Sequence, residues 1–227
     1  MNKKQICAIV LLFMISPSHG QKMQTIKGHC GVYFKSMKDL FRQKQKELGF
    51  YDFKPGQTVA SIGAQCCHWE AAYAAGTDSI LFYLEDIDTT SFTTEQTAFA
   101  WHYYDSLRGR PMTSDFKRVV GNEKVTFLPE NTFDKIIIIN SFHEFTYPAD
   151  MLADIKKKLK PDAILYIDEA MPKKPGQLHG VCKKPMLTHE EMVILFATNG
   201  FEYIDSIDFN FRKSKPMRKI FAFRKKI

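Results

Sequence analysis

The stretch TFDKIIIINSFHEF, residues 132–145, sets four isoleucines in a row and then breaks into Asn140, Ser141, His143 and Glu144. An apolar run this short and this uniform reads as a strand covered on both faces, because alternation is lost when neither face meets water. The polar residues that follow mark the carboxyl end of the strand, the rim at which open α/β sheets bind ligands.

The same pattern recurs on either side. Residues 58–62, 79–84, 125–128 and 163–167 read as further strands, and helical patterns near 66–75, 90–107 and 148–159 fall between most of them. Such alternation predicts a parallel sheet with helices on both faces. The end of the chain differs. Thr188 and Glu191 form a capping box for a helix running to about residue 198, Asn199 and Gly200 end it, and two strand-like runs follow at 201–209 and 217–223. Only a basic turn joins them, so they are expected to pair antiparallel at one side of the sheet. The predicted fold is α/β: a Rossmann-like, doubly wound, mostly parallel sheet with a C-terminal antiparallel strand pair.

Upstream, residues 23–50 read as one amphipathic helix that Gly49 stops. The first twenty residues have another character. Lys3 and Lys4 precede an apolar run at 6–15, and small residues at Ser18 and Gly20 follow it. This is the pattern of a signal peptide cut after Gly20, with an uncleaved anchor through residues 6–15 as the alternative, and either reading puts the domain outside the cytoplasm. The expected organisation is a signal peptide at 1–20, a helical flank at 21–52 and one α/β domain at 53–227. A chain of 227 residues with 44% hydrophobic content supports one such core. The formal charge of +7 comes largely from short clusters such as Lys156 to Lys158. Without a basic stripe interleaved with exposed aromatics, it reads as solvated surface and gives nucleic-acid binding no support.

Removal of the first twenty residues would leave Cys30, Cys66, Cys67 and Cys182. In an oxidising compartment an even count permits disulfides, and a link from one of the adjacent pair to Cys30 or Cys182 is expected. His29 with Cys30, Cys66 and Cys67 with His68, and His179 with Cys182 also collect soft metal ligands. Their spacing is not that of a zinc finger, and no metal is assigned. The aromatic stripe Phe99, Tyr103 and Leu107 repeats at helical spacing and reads as core.

Three stretches should meet at the rim. Gly63 to Cys67 is the turn after the first strand, where a glycine lets the chain bend sharply and a helix N-terminus follows. Glu85, Asp86 and Asp88 cluster after the second strand, where a carboxylate can accept both hydroxyls of a ribose. The run at 140–144 is the third.

Taken with the segment KKLKPDAILYIDEA, residues 157–170, this order of motifs resembles the class I S-adenosylmethionine-dependent methyltransferases, over residue 53 to the C-terminus. Asp162 stands where that family usually has glycine. The resemblance implies S-adenosylmethionine as cofactor and a small-molecule methyl acceptor. It implies that Gly63 and Ala64 line the methionine part, Asp86 holds the ribose, Glu123 sits near the adenine, and Asn140 to Glu144 face the sulfonium and acceptor. His143 or Glu144 would take the acceptor's proton. One departure stands out: Gln65 and Cys67 occupy the places of the family's second and third turn glycines. A noncatalytic binding protein that kept the fold is the competing expectation.

Overall fold

The computed structural model describes residues 34–209 and 217–226. The expected signal peptide, Cys30 and the turn before the last strand lie outside them. In chain order the elements are α1 (Met37–Tyr51), β1 (Thr58–Ile62), α2 (His68–Gly76), β2 (Leu81–Asp86), α3 (Thr94–Arg108), β3 (Asp115–Val120) and β4 (Phe133–Ile139). They continue with a 3₁₀ turn (Phe142–Glu144), α4 (Pro148–Lys158), β5 (Leu159–Ala170), α5 (His189–Thr198), β6 (Phe201–Phe209) and β7 (Arg218–Lys225).

The strands form one sheet in the order β3-β2-β1-β4-β5-β7-β6. All neighbours from β3 to β5 are parallel, and β7 runs antiparallel between β5 and β6. The isoleucine run is explained by the two faces of β4. Ile136 and Ile138 pack with Leu152, Ile155 and Phe196 of α4 and α5, while Ile137 packs with Tyr51 of α1 and Tyr73 of α2. Each face is buried, so each position must be apolar. The core stripe of α3 is offset from the expected one: Ala100 and Tyr104 are fully buried, Tyr103 and Leu107 pack half-buried against them, and Phe99 is half-buried outside that cluster.

Two expected elements are corrected. No strand forms at 125–128, and the third strand is β3 at Asp115–Val120. Among the described residues β3 is a sheet edge, paired only with β2, and its sequence DFKRVV mixes charge with apolar residues as a half-solvated edge does. The 125–128 segment is held instead by side chains. Asn122 accepts from the amides of Lys124 and Val125, and the Asp154 carboxylate accepts from the amide and hydroxyl of Thr126 at 2.9 and 2.7 Å. The N-terminal helix begins at Met37 within the described residues, later than the sequence suggested, because the Ser36 hydroxyl accepts the Asp39 amide and caps it. Among the described residues, no helix is long and apolar enough to cross a membrane.

Candidate functional site

The strand order reverses between β1 and β4, and a crevice opens there beyond their carboxyl ends. Gly63 makes the bend out of β1 at φ +73°, and a Cβ there would overlap the Ser141 side chain, so no larger residue fits. Ser141 in turn donates to the Ile62 carbonyl at 3.1 Å, which clasps the ends of β1 and β4 together. The amides of Gly63 and Ala64 both donate to the Glu85 carbonyl at 2.9 Å. The turn is thereby tied to the end of β2.

Gln65 and Cys67 take φ values of 48° and 59°. Both family-glycine positions therefore keep the left-handed backbone that favours glycine while carrying a side chain. Gln65 is exposed and lines the crevice, and the Cys67 thiol is buried in the core, where burial pushes its pKa up. Cys66 is disulfide-bonded, and Cys67 and Cys182 are free thiols.

Asp86 receives the Gln65 amide on one carboxylate oxygen at 2.6 Å and the Asp88 amide on the other at 2.7 Å. Each oxygen keeps a lone pair for a further donor. Burial raises its pKa, against the pull of those amides. Its neighbour Glu85 points inward, and burial together with the Asp86 charge pushes it up to about 8. Glu70, under the turn, accepts from the Ser61 hydroxyl at 2.5 Å, and burial carries it up to about 7.

A cavity of about 570 Å³ occupies the crevice. Gly63, Ala64, Asp86, Glu123, Asn140 and Glu144 all line it. Of the predicted site residues, His143 alone is not on its wall. The His143 side chain is buried, its Nδ1 lies 2.8 Å from Glu169 Oε2, and its ring stands against His179, which does line the cavity. Burial opposes a charge on that ring, but the Glu169 hydrogen bond and charge outweigh it and raise the His143 pKa.

Sequence reasoning missed several lining groups. Ile87 exposes half its surface between two acids, an apolar wall at the mouth. Lys44 and Trp69 come from α1 and α2, with the Lys44 ammonium 4.2 Å from the Trp69 ring centroid. Arg218 of β7 donates to Asn140 Oδ1 at 2.5 Å and from its Nε to Asp168 at 2.9 Å. Only the polar pair Asp168 and Glu169, breaking an apolar strand, signalled this region in the sequence. Among the described residues, seven carboxyl side chains line the cavity against Lys44 and Arg218, so on a basic chain the crevice itself is acid-rich.

The strand order and the crevice define a class I methyltransferase fold. Residues 74–167 match the family model described as a methyltransferase domain. Among solved structures, the chain is similar to a SAM-dependent methyltransferase from Aquifex aeolicus, at 20% identity over 83% of this chain and 96% of the other, with a TM-score of 0.60. It is similar to the [4+2]-cyclase SpnF at 16% identity, covering 84% and 82%, with a TM-score of 0.63. It is also similar to the Burkholderia thailandensis 1,6-didemethyltoxoflavin-N1-methyltransferase, a structure with 1,6-didemethyltoxoflavin and S-adenosylhomocysteine bound. There the identity is 18%, the coverage 84% and 78%, and the TM-score 0.60. No curated protein sequence matches the chain. The matched segment and these likenesses show that the chain has the class I methyltransferase fold.

Proposed function

We propose that the protein is an S-adenosylmethionine-dependent methyltransferase acting on a small molecule. The observation that carries this reading is the convergence of the Gly63 turn and the Asp86 carboxylate on one acid-rich cavity of about 570 Å³. That volume lies within the range of ligand pockets, and the side chains of Asp86, Asp88, Glu123 and Glu144 on its wall suit a cationic sulfonium. The donor set fits the cofactor. Asp86 retains two acceptor sites for ribose hydroxyls, Ile87 offers an apolar face for adenine, and Glu123 lines the same cavity. Ala64 and the Gly63 backbone leave room beside them.

S-adenosylmethionine supplies an already activated methyl group, so the protein's task is to align the acceptor and remove its proton. Glu144, exposed on the wall, is the carboxylate placed to take that proton, while Asn140 is held by Arg218 and positions the acceptor end. Lys44, Trp69 and Arg218 also line the cavity; with Lys44 paired to Glu47 at 2.7 Å and Arg218 paired to Asp168, it is the Trp69 ring that suits an acceptor with an aromatic part. Calorimetric titration of the purified protein with S-adenosylmethionine tests the reading. Submillimolar binding is expected, and Asp86→Ala should weaken it at least about tenfold by removing the ribose acceptors. A melting curve keeps a folding defect in the variant from being read as lost binding.

The second reading is a binding protein without methyl transfer. It is favoured by the side chains at Gln65 and Cys67, and by a fold that also serves a cyclase. No heat with S-adenosylmethionine in either protein would select it.

A further inference from the structure

We propose that His143, His179 and Cys182 form a binding site for a divalent cation of the zinc class at the rim of the cavity. One ligand atom from each lies within 4.8 Å of the others. His179 Nδ1 and Cys182 Sγ are already 3.1 Å apart, and the two imidazole rings have centroids 4.5 Å apart. Donor atoms around tetrahedral zinc are separated by roughly 3 to 4 Å, given metal distances of about 2.0 Å to nitrogen and about 2.3 Å to sulfur. A small inward movement of the loop therefore completes the set.

Three features distinguish this cluster from a chance meeting of polar groups. The first is His143 itself. Its side chain is 4% exposed, yet its Nε2 has no hydrogen-bond partner among the described residues, a costly condition for a buried nitrogen. Glu144 approaches that nitrogen only to 3.8 Å, beyond hydrogen-bond reach. The second is Glu169, whose carboxylate sits on the opposite nitrogen. A carboxylate behind a histidine fixes the tautomer and turns the other nitrogen outward with its lone pair available, the arrangement found behind metal-ligating histidines. The third is the loop. The His179 amide donates to the Lys184 carbonyl at 2.8 Å and the Met186 amide to the Gln177 carbonyl at 2.9 Å. This folds residues 179–182 into a tight turn that puts the histidine and the thiol side by side. Cys182 is a free thiol and so remains available as a ligand.

Two imidazoles and a thiolate select a borderline-soft ion over magnesium or calcium, which prefer oxygen. Three protein ligands leave a fourth position, and His179 among them lines the cavity, so the ion would sit at its edge. A group bound there would be an acceptor or a water. The site does not depend on the cofactor reading.

Metal-free full-length protein titrated with Zn²⁺, and in parallel with Co²⁺ as a spectroscopic probe, decides the matter. One equivalent per chain is expected, with a thiolate-to-metal charge-transfer band for cobalt that disappears in Cys182→Ser. Both Cys182→Ser and His179→Ala lie on a surface loop and should keep the melting temperature of the metal-free protein while losing about 100-fold or more in affinity. Glu169→Gln keeps all three ligands and should weaken binding about 10- to 100-fold. Absence of stoichiometric binding, or binding unchanged in the two loop variants, overturns the site. S-adenosylmethionine binding to the same metal-free protein is measured separately, so a failure of this proposal and a failure of the cofactor reading give different results.

Discussion

Gln65 holds a left-handed backbone at φ 48° while its side chain is exposed at the cavity wall, so it has little packing to lose. An L-residue there carries roughly 1–2 kcal/mol of strain, against roughly 0.5–1 kcal/mol of extra unfolded-state freedom that glycine would introduce. Gln65→Gly is therefore expected to stabilise the protein by about 0.5–1 kcal/mol, read as a higher urea midpoint. A lower midpoint would mean that the Gln65 side chain contributes something the geometry does not reveal. No such gain is expected at Cys67, whose thiol fills core space. The turn glycine and the acid after β2 were legible in the sequence because both follow from local strand–turn–helix–strand order. The positive φ at 65 and 67 was not legible, since neither side chain announces it. Nor was the meeting of His143 with His179 and Cys182, which a loop between β5 and α5 brings together from distant parts of the chain.

Among the elements, α5 was read correctly from its capping box, and the structure supplies both halves of it. The Thr188 amide donates to Glu191 Oε2 at 2.8 Å, and the Glu191 amide donates to the Thr188 hydroxyl at 3.2 Å. This helix presses Phe196 flat on Phe223 of β7, with centroids 4.1 Å apart. Thr188→Ala should cost about 1 kcal/mol in urea unfolding, with the cost absent if the helix end is satisfied some other way. β3 was missed for the opposite reason. Strands in the middle of the sheet are apolar throughout and stand out by composition, whereas an edge strand with one solvated side carries Asp115, Lys117 and Arg118 and resembles loop. The apolar segment at 125–128 then drew the reading, although side chains rather than a sheet partner hold it.

For the molecule as a whole, Glu70 and Glu85 set a pH dependence. Glu70 faces the Asp86 charge, and Glu85 faces both Asp86 and Asp154. Their folded pKa values, about 7 and about 8, lie above the ordinary 4.5, so the folded state favours the protonated acids. Their contribution is full below the unfolded pKa and is lost as pH rises through the folded values. At about 1.4 kcal/mol per unit, Glu70 alone accounts for about 3 kcal/mol. Stability is expected to fall between roughly pH 4.5 and pH 8, and Glu70→Gln should flatten that slope in a series of thermal melts. A flat profile in the unsubstituted protein would contradict it. The register of the sheet has one more outcome, in time rather than space. β1 pairs residue for residue with β4, Val59 opposite Lys135 and Ile62 opposite Ile138, although a long run of sequence separates them. Contacts so remote close slowly, and the crevice exists only after the two halves have docked. An occupant that touches both halves would bind only the finished form and draw late-folding molecules toward it by mass action.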